Sequence, residues 1–260
     1  MRRGARVVLA VAISAAGAAP GAARAQTMLD QEERLIDIHS LLLDLPPLQA
    51  PGALERRQVD AALELVSIPE IDGATGSNEQ ITASDRTRLF PRPRVALGLP
   101  APRGFRAFVG ISYVPPVPIR DVATNAAAVE AGIALVRGAF RAGVRGHAVY
   151  ARSTAPVTDP DSRDVLETRI VGGALSAGGR IAASSRLALE PYAGVGVTAL
   201  RGRFRVTSDG NVLTSDWTGP ALHAGVRALL RDRWELVAEV IDYPDRLFHT
   251  NVRLGYLFGI

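Results

Sequence analysis

The sequence contains no cysteine, so a disulfide framework, thiol chemistry and a cysteine-based zinc site are all excluded. Lysine is absent as well: all 30 basic side chains are arginine, set against 26 acidic ones. Beyond residue 25 no run reaches the ~18 consecutive apolar residues of a spanning helix, which leaves a soluble fold or a barrel of strands. Aromatic residues are scarce, at 5%. What the chain does have is glycine, alanine and valine in regular alternation with polar residues.

At the N-terminus Arg2, Arg3 and Arg6 precede an apolar stretch from Val7 to Ala19, and Ala23-Arg24-Ala25 forms a small-x-small cleavage site. This pattern predicts an export signal over residues 1–25, with Gln26 starting the mature chain. Its removal takes away Arg2, Arg3, Arg6 and Arg24 and no acid, so that 26 basic residues face 26 acidic ones. The mature chain is formally neutral, and the all-arginine bias gives no nucleic-acid signal.

Residues 26–92 carry helical pattern. Asp30 and Glu33 are spaced as a capping box ahead of Leu35, Ile38, Leu42 and Leu45, and Pro46-Pro47 closes the run. A second helix is predicted from Ala53 to Val66, with Leu54, Ala62, Leu63 and Val66 on its apolar face. Residues 67–92 read as a linker rich in Gly, Ser, Thr, Asp and Pro. The whole of 26–92 is expected to be a partly helical, poorly ordered periplasmic segment.

From about Gly104 the period changes from 3.6 to 2 and stays there to the C-terminus. Eight stretches alternate: Phe105 to Tyr113, Ala126 to Val136, Phe140 to Ala151, Val165 to Ile181, Leu187 to Leu200, Trp217 to Leu230, Trp234 to Tyr243 and His249 to Ile260. In the fourth, Leu166, Thr168 and Ile170 stand against Glu167 and Arg169, and the phase slips at Gly172-Gly173, which predicts a bulge. Connections alternate in length: 137–139, 182–186 and 231–233 are short, and 114–125, 152–164 and 201–216 are long. Short turns at one end and long loops at the other are the habit of outer-membrane barrels, with the Asp209-Gly210 turn tipping an external hairpin.

Through this dyad repeat and its closing strand Val252-Arg253-Leu254-Gly255-Tyr256-Leu257-Phe258-Gly259-Ile260, the chain resembles small outer-membrane β-barrel proteins of the OmpA/OmpX type, over about 60% of its length. That family usually ends on an aromatic residue, whereas this chain ends on Ile260. The resemblance implies an all-β, antiparallel, up-and-down transmembrane barrel over 93–260, with core strands from about residue 105. Eight strands are expected and ten are possible. It also implies outer-membrane lipid and the barrel assembly machinery as partners.

With apolar faces toward lipid, the inner faces collect a polar network: Arg106, Glu130, Arg141, Arg145, His147, Glu167, Arg169, Arg180, Glu190, Tyr192, His223, Arg227, Glu235, Glu239 and Arg253. Eight strands leave room only for side chains, so these residues read as an ion-paired filling, with a narrow anion-leaning path as the functional alternative. No catalytic, cofactor or metal site is expected. Lipid A deacylase barrels place a His and a Ser on one strand face, and no His here has a Ser two positions away. Asp159, Asp161 and Asp164 lack the glycine and final glutamate of a calcium loop.

The leading expectation is therefore a non-enzymatic outer-membrane barrel with a structural or surface-interaction role. Two alternatives stay open. One is a ten-stranded channel for small or hydrophobic solutes, in which Leu35 to Leu45 forms a helical plug and Val95 to Leu99 adds to the strands. The other is a soluble lipocalin-like barrel with its apolar faces turned inward.

Overall fold

The structure, a computed structural model, describes residues 28–67, 89–119, 122–158 and 161–260. The predicted export signal and most of the predicted linker lie outside them. One helix, α1 (Met28–Leu41), is followed by β1 (Gln58–Ser67), β2 (Leu89–Leu99), β3 (Phe105–Val114), β4 (Pro118–Ile119), β5 (Val122–Arg137), β6 (Phe140–Ala155), β7 (Asp164–Gly179), β8 (Ile181–Ala182), β9 (Leu187–Arg205), β10 (Val212–Leu230), β11 (Trp234–Tyr243) and β12 (Leu247–Gly259). The ten long strands pair antiparallel in chain order, and β1 pairs with β12 to close the ring. The two-residue strands β4 and β8 fold onto β5 and β9.

The eight-strand count is thus corrected to ten. The two additional strands are β1 and β2, which precede Phe105. β1 occupies most of the predicted second helix. Its Ala, Leu and Glu residues suit a helix, but Val59, Ala61, Leu63 and Leu65 also alternate with the buried Asp60 and Glu64. Pairing with β12 on one side and β2 on the other decides in favour of the strand, because a tertiary ladder outweighs small propensity differences. In β2, Pro91 and Pro93 lie outside the Arg94–Leu99 stretch that bonds to β3, where their missing N–H groups are not required.

Side chains alternate across the barrel wall throughout. Ile111, Val129, Val171 and Leu175 face outward and are 62, 58, 62 and 60% exposed, while Arg92, Arg94, Arg227 and Arg253 face inward and are at most 1% exposed. An outward apolar surface and a charged interior are the arrangement lipid demands, and they exclude the lipocalin-like alternative. Aromatic residues rim this surface at both ends, with Phe105, Phe140, Trp234 and Phe258 near the short turns and Tyr113, Tyr150 and Phe248 near the long connections.

The predicted bulge at Gly172-Gly173 is absent. β7 keeps one continuous register with β6 and with β9, so Thr168 and Ile170 are buried inside and Glu167 and Arg169 point outward. The long connections are also shorter than expected, since the β9–β10 hairpin continues to Arg205 and Val212 and turns at Gly210, whose φ is 77°. The short turns join β2 to β3, β5 to β6, β7 to β9 by way of β8, and β10 to β11, and the C-terminal end of β12 lies at that same mouth.

Candidate functional site

A ten-stranded ring encloses more space than its own side chains fill, since diameter grows with strand number. The segment expected to lie in the periplasm occupies that space. α1 sits in the long-loop half of the lumen against β9 and β10, where Ser40 meets Thr168 at 3.1 Å, Ser215 donates to Asp37 at 2.6 Å and Arg246 pairs with Asp37 at 3.2 Å. From Leu42 the chain runs through the barrel to Arg57, whose N–H donates to the Gly98 carbonyl beside the short turns. Both ends of this passage pass close to the wall at a glycine. A Cβ on Gly202 would strike Ile36 and Ser40, and one on Gly98 would strike the Glu55 carbonyl.

The interior accordingly has two storeys. Around α1 it is apolar: Ile38, Leu41, Leu43 and Leu45 pack against Val114, Ala126, Val149, Ile170, Leu200 and Ile241. Toward the short turns it is ionic. Six arginines (Arg92, Arg94, Arg141, Arg145, Arg227 and Arg253) and six carboxylates (Asp60, Glu64, Glu130, Glu190, Glu235 and Glu239) of the wall are buried. Arg227 donates to Glu190 and to Glu235, each at 2.7 Å, Arg253 pairs with Glu235 at 2.7 Å and with Asp60, and Arg94 pairs with Asp60 at 2.8 Å and with Glu130. Arg92 pairs with Glu64, Arg141 with Glu190 at 3.0 Å, and Arg145 with Glu239 at 3.2 Å, and Tyr192 donates to Glu239 at 2.7 Å.

The same guanidinium groups hold the main chain of the lumen segment. Pro46, Pro47 and Pro51 keep it out of helix and have no N–H to donate, so its carbonyls look for donors on the wall. Arg92 donates to the Pro46 carbonyl at 3.2 Å, Arg145 to those of Pro47 and Gln49, and Arg253 to that of Leu48. Arg106 and Arg141 both donate to Gly52, at 2.9 and 3.1 Å, and Arg227 reaches Ala53 at 3.5 Å. Arg94 donates to the Gln49 side chain at 2.9 Å. Arginine suits this role because its several fixed donors can serve a carboxylate and a carbonyl at once. A salt bridge and a plug contact are therefore often one residue.

Where the storeys meet, Asp44 is the hub. Its carboxylate lies 2.6 Å from His147 Nε2, accepts from Tyr243 at 2.5 Å and from Thr198 at 3.5 Å, and Tyr243 stacks on His249 with ring centroids 5.9 Å apart. Among the described residues no hydroxyl bonds His147, so this Asp–His pair has no nucleophile aligned with it.

Of the residues predicted for the interior, Glu130, Arg141, Arg145, His147, Glu190, Tyr192, His223, Arg227, Glu235, Glu239 and Arg253 lie inside. Arg106 and Arg180 stand at the short-turn mouth, where Arg106 pairs with Glu55 at 2.7 Å and Arg180 with Asp232 at 3.5 Å. Glu167 and Arg169 do not belong to the interior. Sequence reasoning missed Asp60, Glu64, Arg92 and Arg94, together with Asp37, Asp44 and Gln49 of the plug. With these included, the two-charge arginine surplus that favoured an anion path disappears.

No protein-family profile matches the chain, and no curated protein matches it. Among solved structures it is similar to the translocator domain of the autotransporter NalP from Neisseria meningitidis, at 12% identity over 89% of this chain and 95% of that one, with a TM-score of 0.44. It is also similar to Ail, the attachment invasion locus protein of Yersinia pestis (13% identity, 77 and 95% coverage, TM-score 0.30). A third is the N-terminal barrel domain of Pseudomonas aeruginosa OprF (7% identity, 78 and 98% coverage, TM-score 0.30). These similar structures are outer-membrane β-barrels, and the fold of this chain is a closed antiparallel barrel.

Proposed function

We propose that the protein is a non-enzymatic β-barrel of the bacterial outer membrane with a structural or surface-interaction role, whose lumen is sealed by its own segment Met28–Arg57. The observation that carries this is the row of wall arginines bonded to the carbonyls of Pro46, Pro47, Leu48, Gln49, Gly52 and Ala53. Each of these bonds is charge-assisted, all but those to Gly52 are buried, and the loss of a buried one would leave a carbonyl or a guanidinium unsatisfied. Toward the short turns the six buried arginines of the wall are matched by six buried carboxylates, which supports a filling over a selective path. Outer-membrane lipid and the barrel assembly machinery are the partners this reading requires.

In planar bilayers the intact mature chain is expected to be electrically silent, and a variant lacking residues 28–54 to give discrete conductance steps. Sustained conductance by the intact chain would sink the sealed-lumen reading.

A further inference from the structure

Among the described residues, the outer face of the barrel carries arginines at one place along its long-loop rim, on the neighbouring strands β6, β7 and β9. Along β9 the outward residues from Leu187 to Ala199 are all apolar. They cover roughly 40 Å of strand, or roughly 30 Å of height at a tilt of about 40°, which is the thickness of a hydrocarbon core. The next three outward positions are Arg201, Arg203 and Arg205. Register places Tyr150, Arg169, Arg201 and Asp216 in one row across four strands, and Arg152, Glu167, Arg203 and Thr214 in the row above. Elsewhere at this level the outward residues include Tyr113, Asn125 and Thr250.

Arg201 pairs with Asp216 at 2.6 Å, but Arg152, Arg169, Arg203 and Arg205 form no ion pair among the described residues. Arg169 stands directly opposite Arg201. Like charges facing each other across strands are destabilising, and Asp216, on the far side of Arg201, leaves Arg169 without an ion-pair partner among the described residues. The row is level with an aromatic girdle residue, Tyr150, and is continuous with the lipid-facing band, so it lies at the depth of lipid headgroups.

We propose that this patch binds the phosphate groups of a phosphorylated glycolipid headgroup in the external leaflet. Planar guanidinium groups on adjacent strands present paired donors to tetrahedral phosphate, and a doubly charged anion between Arg169, Arg201 and Arg203 relieves their repulsion. The inference rests on the outer-membrane placement above, and the experiment separates the two.

The mature chain is refolded in detergent micelles and the temperature at which its fast-migrating form is lost on an SDS gel is recorded. If wild type without added lipid shows no such form, the membrane placement itself fails and the lipid site fails with it. Bis-phosphorylated lipid A, the same glycolipid stripped of phosphate, or inorganic phosphate is then added, and retention is read by native mass spectrometry. Only the phosphorylated glycolipid is expected to be retained and to raise the unfolding temperature. The double variant Arg169→Gln, Arg203→Gln should weaken retention by roughly tenfold, the effect of losing a charge-assisted contact, with its lipid-free gel shift intact. Equal retention of the phosphate-free glycolipid, the same stabilisation by inorganic phosphate alone, or unchanged retention by the double variant overturns the proposal. Should the double variant not fold, the single variant Arg203→Gln supplies the same comparison.

Discussion

At the scale of single residues, the barrel wall turns one position along a strand into a change of solvent. Val226 faces outward and is 40% exposed, whereas Arg227 faces the lumen and is 1% exposed. Val226→Arg should cost about 2 to 4 kcal/mol of barrel stability in lipid, read as a lower urea midpoint of refolded protein. Arg227→Ala should cost more, about 3 to 5 kcal/mol, because Glu190 and Glu235 would stay buried without their shared cation. This alternation was legible wherever both faces differ in polarity, as in Trp234 to Tyr243, where Glu235 and Glu239 mark the inside. It failed at Glu167 and Arg169 for a physical reason. Beside α1 the lumen is apolar, while the outer face has already left the apolar band, so from Leu166 to Ile170 the usual polarity of the two faces is reversed. The plug contacts could not be read at all, since a carbonyl of Pro47 or Gly52 carries no sequence signature as an arginine acceptor.

At the scale of elements, α1 and β1 show where local pattern is and is not decisive. The helix from Met28 to Leu41 follows the apolar spacing but begins two residues ahead of Asp30, so that the predicted capping box falls inside it, and it stops ahead of Pro46-Pro47 as those residues require. β1 was misread because Gln58–Ser67 satisfies either period. Only its two neighbouring strands, one of them at the far end of the chain, settle the matter. Helix position depends on a bare backbone patch of β9, which gives a direct test. Gly202→Val places side-chain atoms where Ile36 and Ser40 now pack, and should push α1 out of the lumen without breaking the β9 ladder. Limited proteolysis of protein in micelles should then cut within 28–41, and intact protein should resist cleavage there.

At the scale of the whole molecule, strand number and filling are linked. Eight strands would have closed on their side chains; ten need something more, and residues 28–57 are that addition. The count was obscured because β1 is separated from β2 by a composition that reads as linker, and because Pro91 and Pro93 argue against a central strand. The barrel as a whole, its lipid-facing surface and most of its inner charge came from period-2 alternation alone. The division of the lumen into an apolar and an ionic storey did not, since it depends on which residues the threaded segment brings beside the wall.

The connectivity has one more consequence, for the order of assembly. The lumen segment is joined directly to β1, and the ring is completed where β1 meets β12, the last strand made. The sheet is therefore wound around a mandrel that is already part of the chain, and the final seam locks it in. A barrel refolded without residues 28–54 and then given those residues as a separate peptide should stay conductive, because the winding step has passed. The same peptide present throughout refolding should yield a closed barrel.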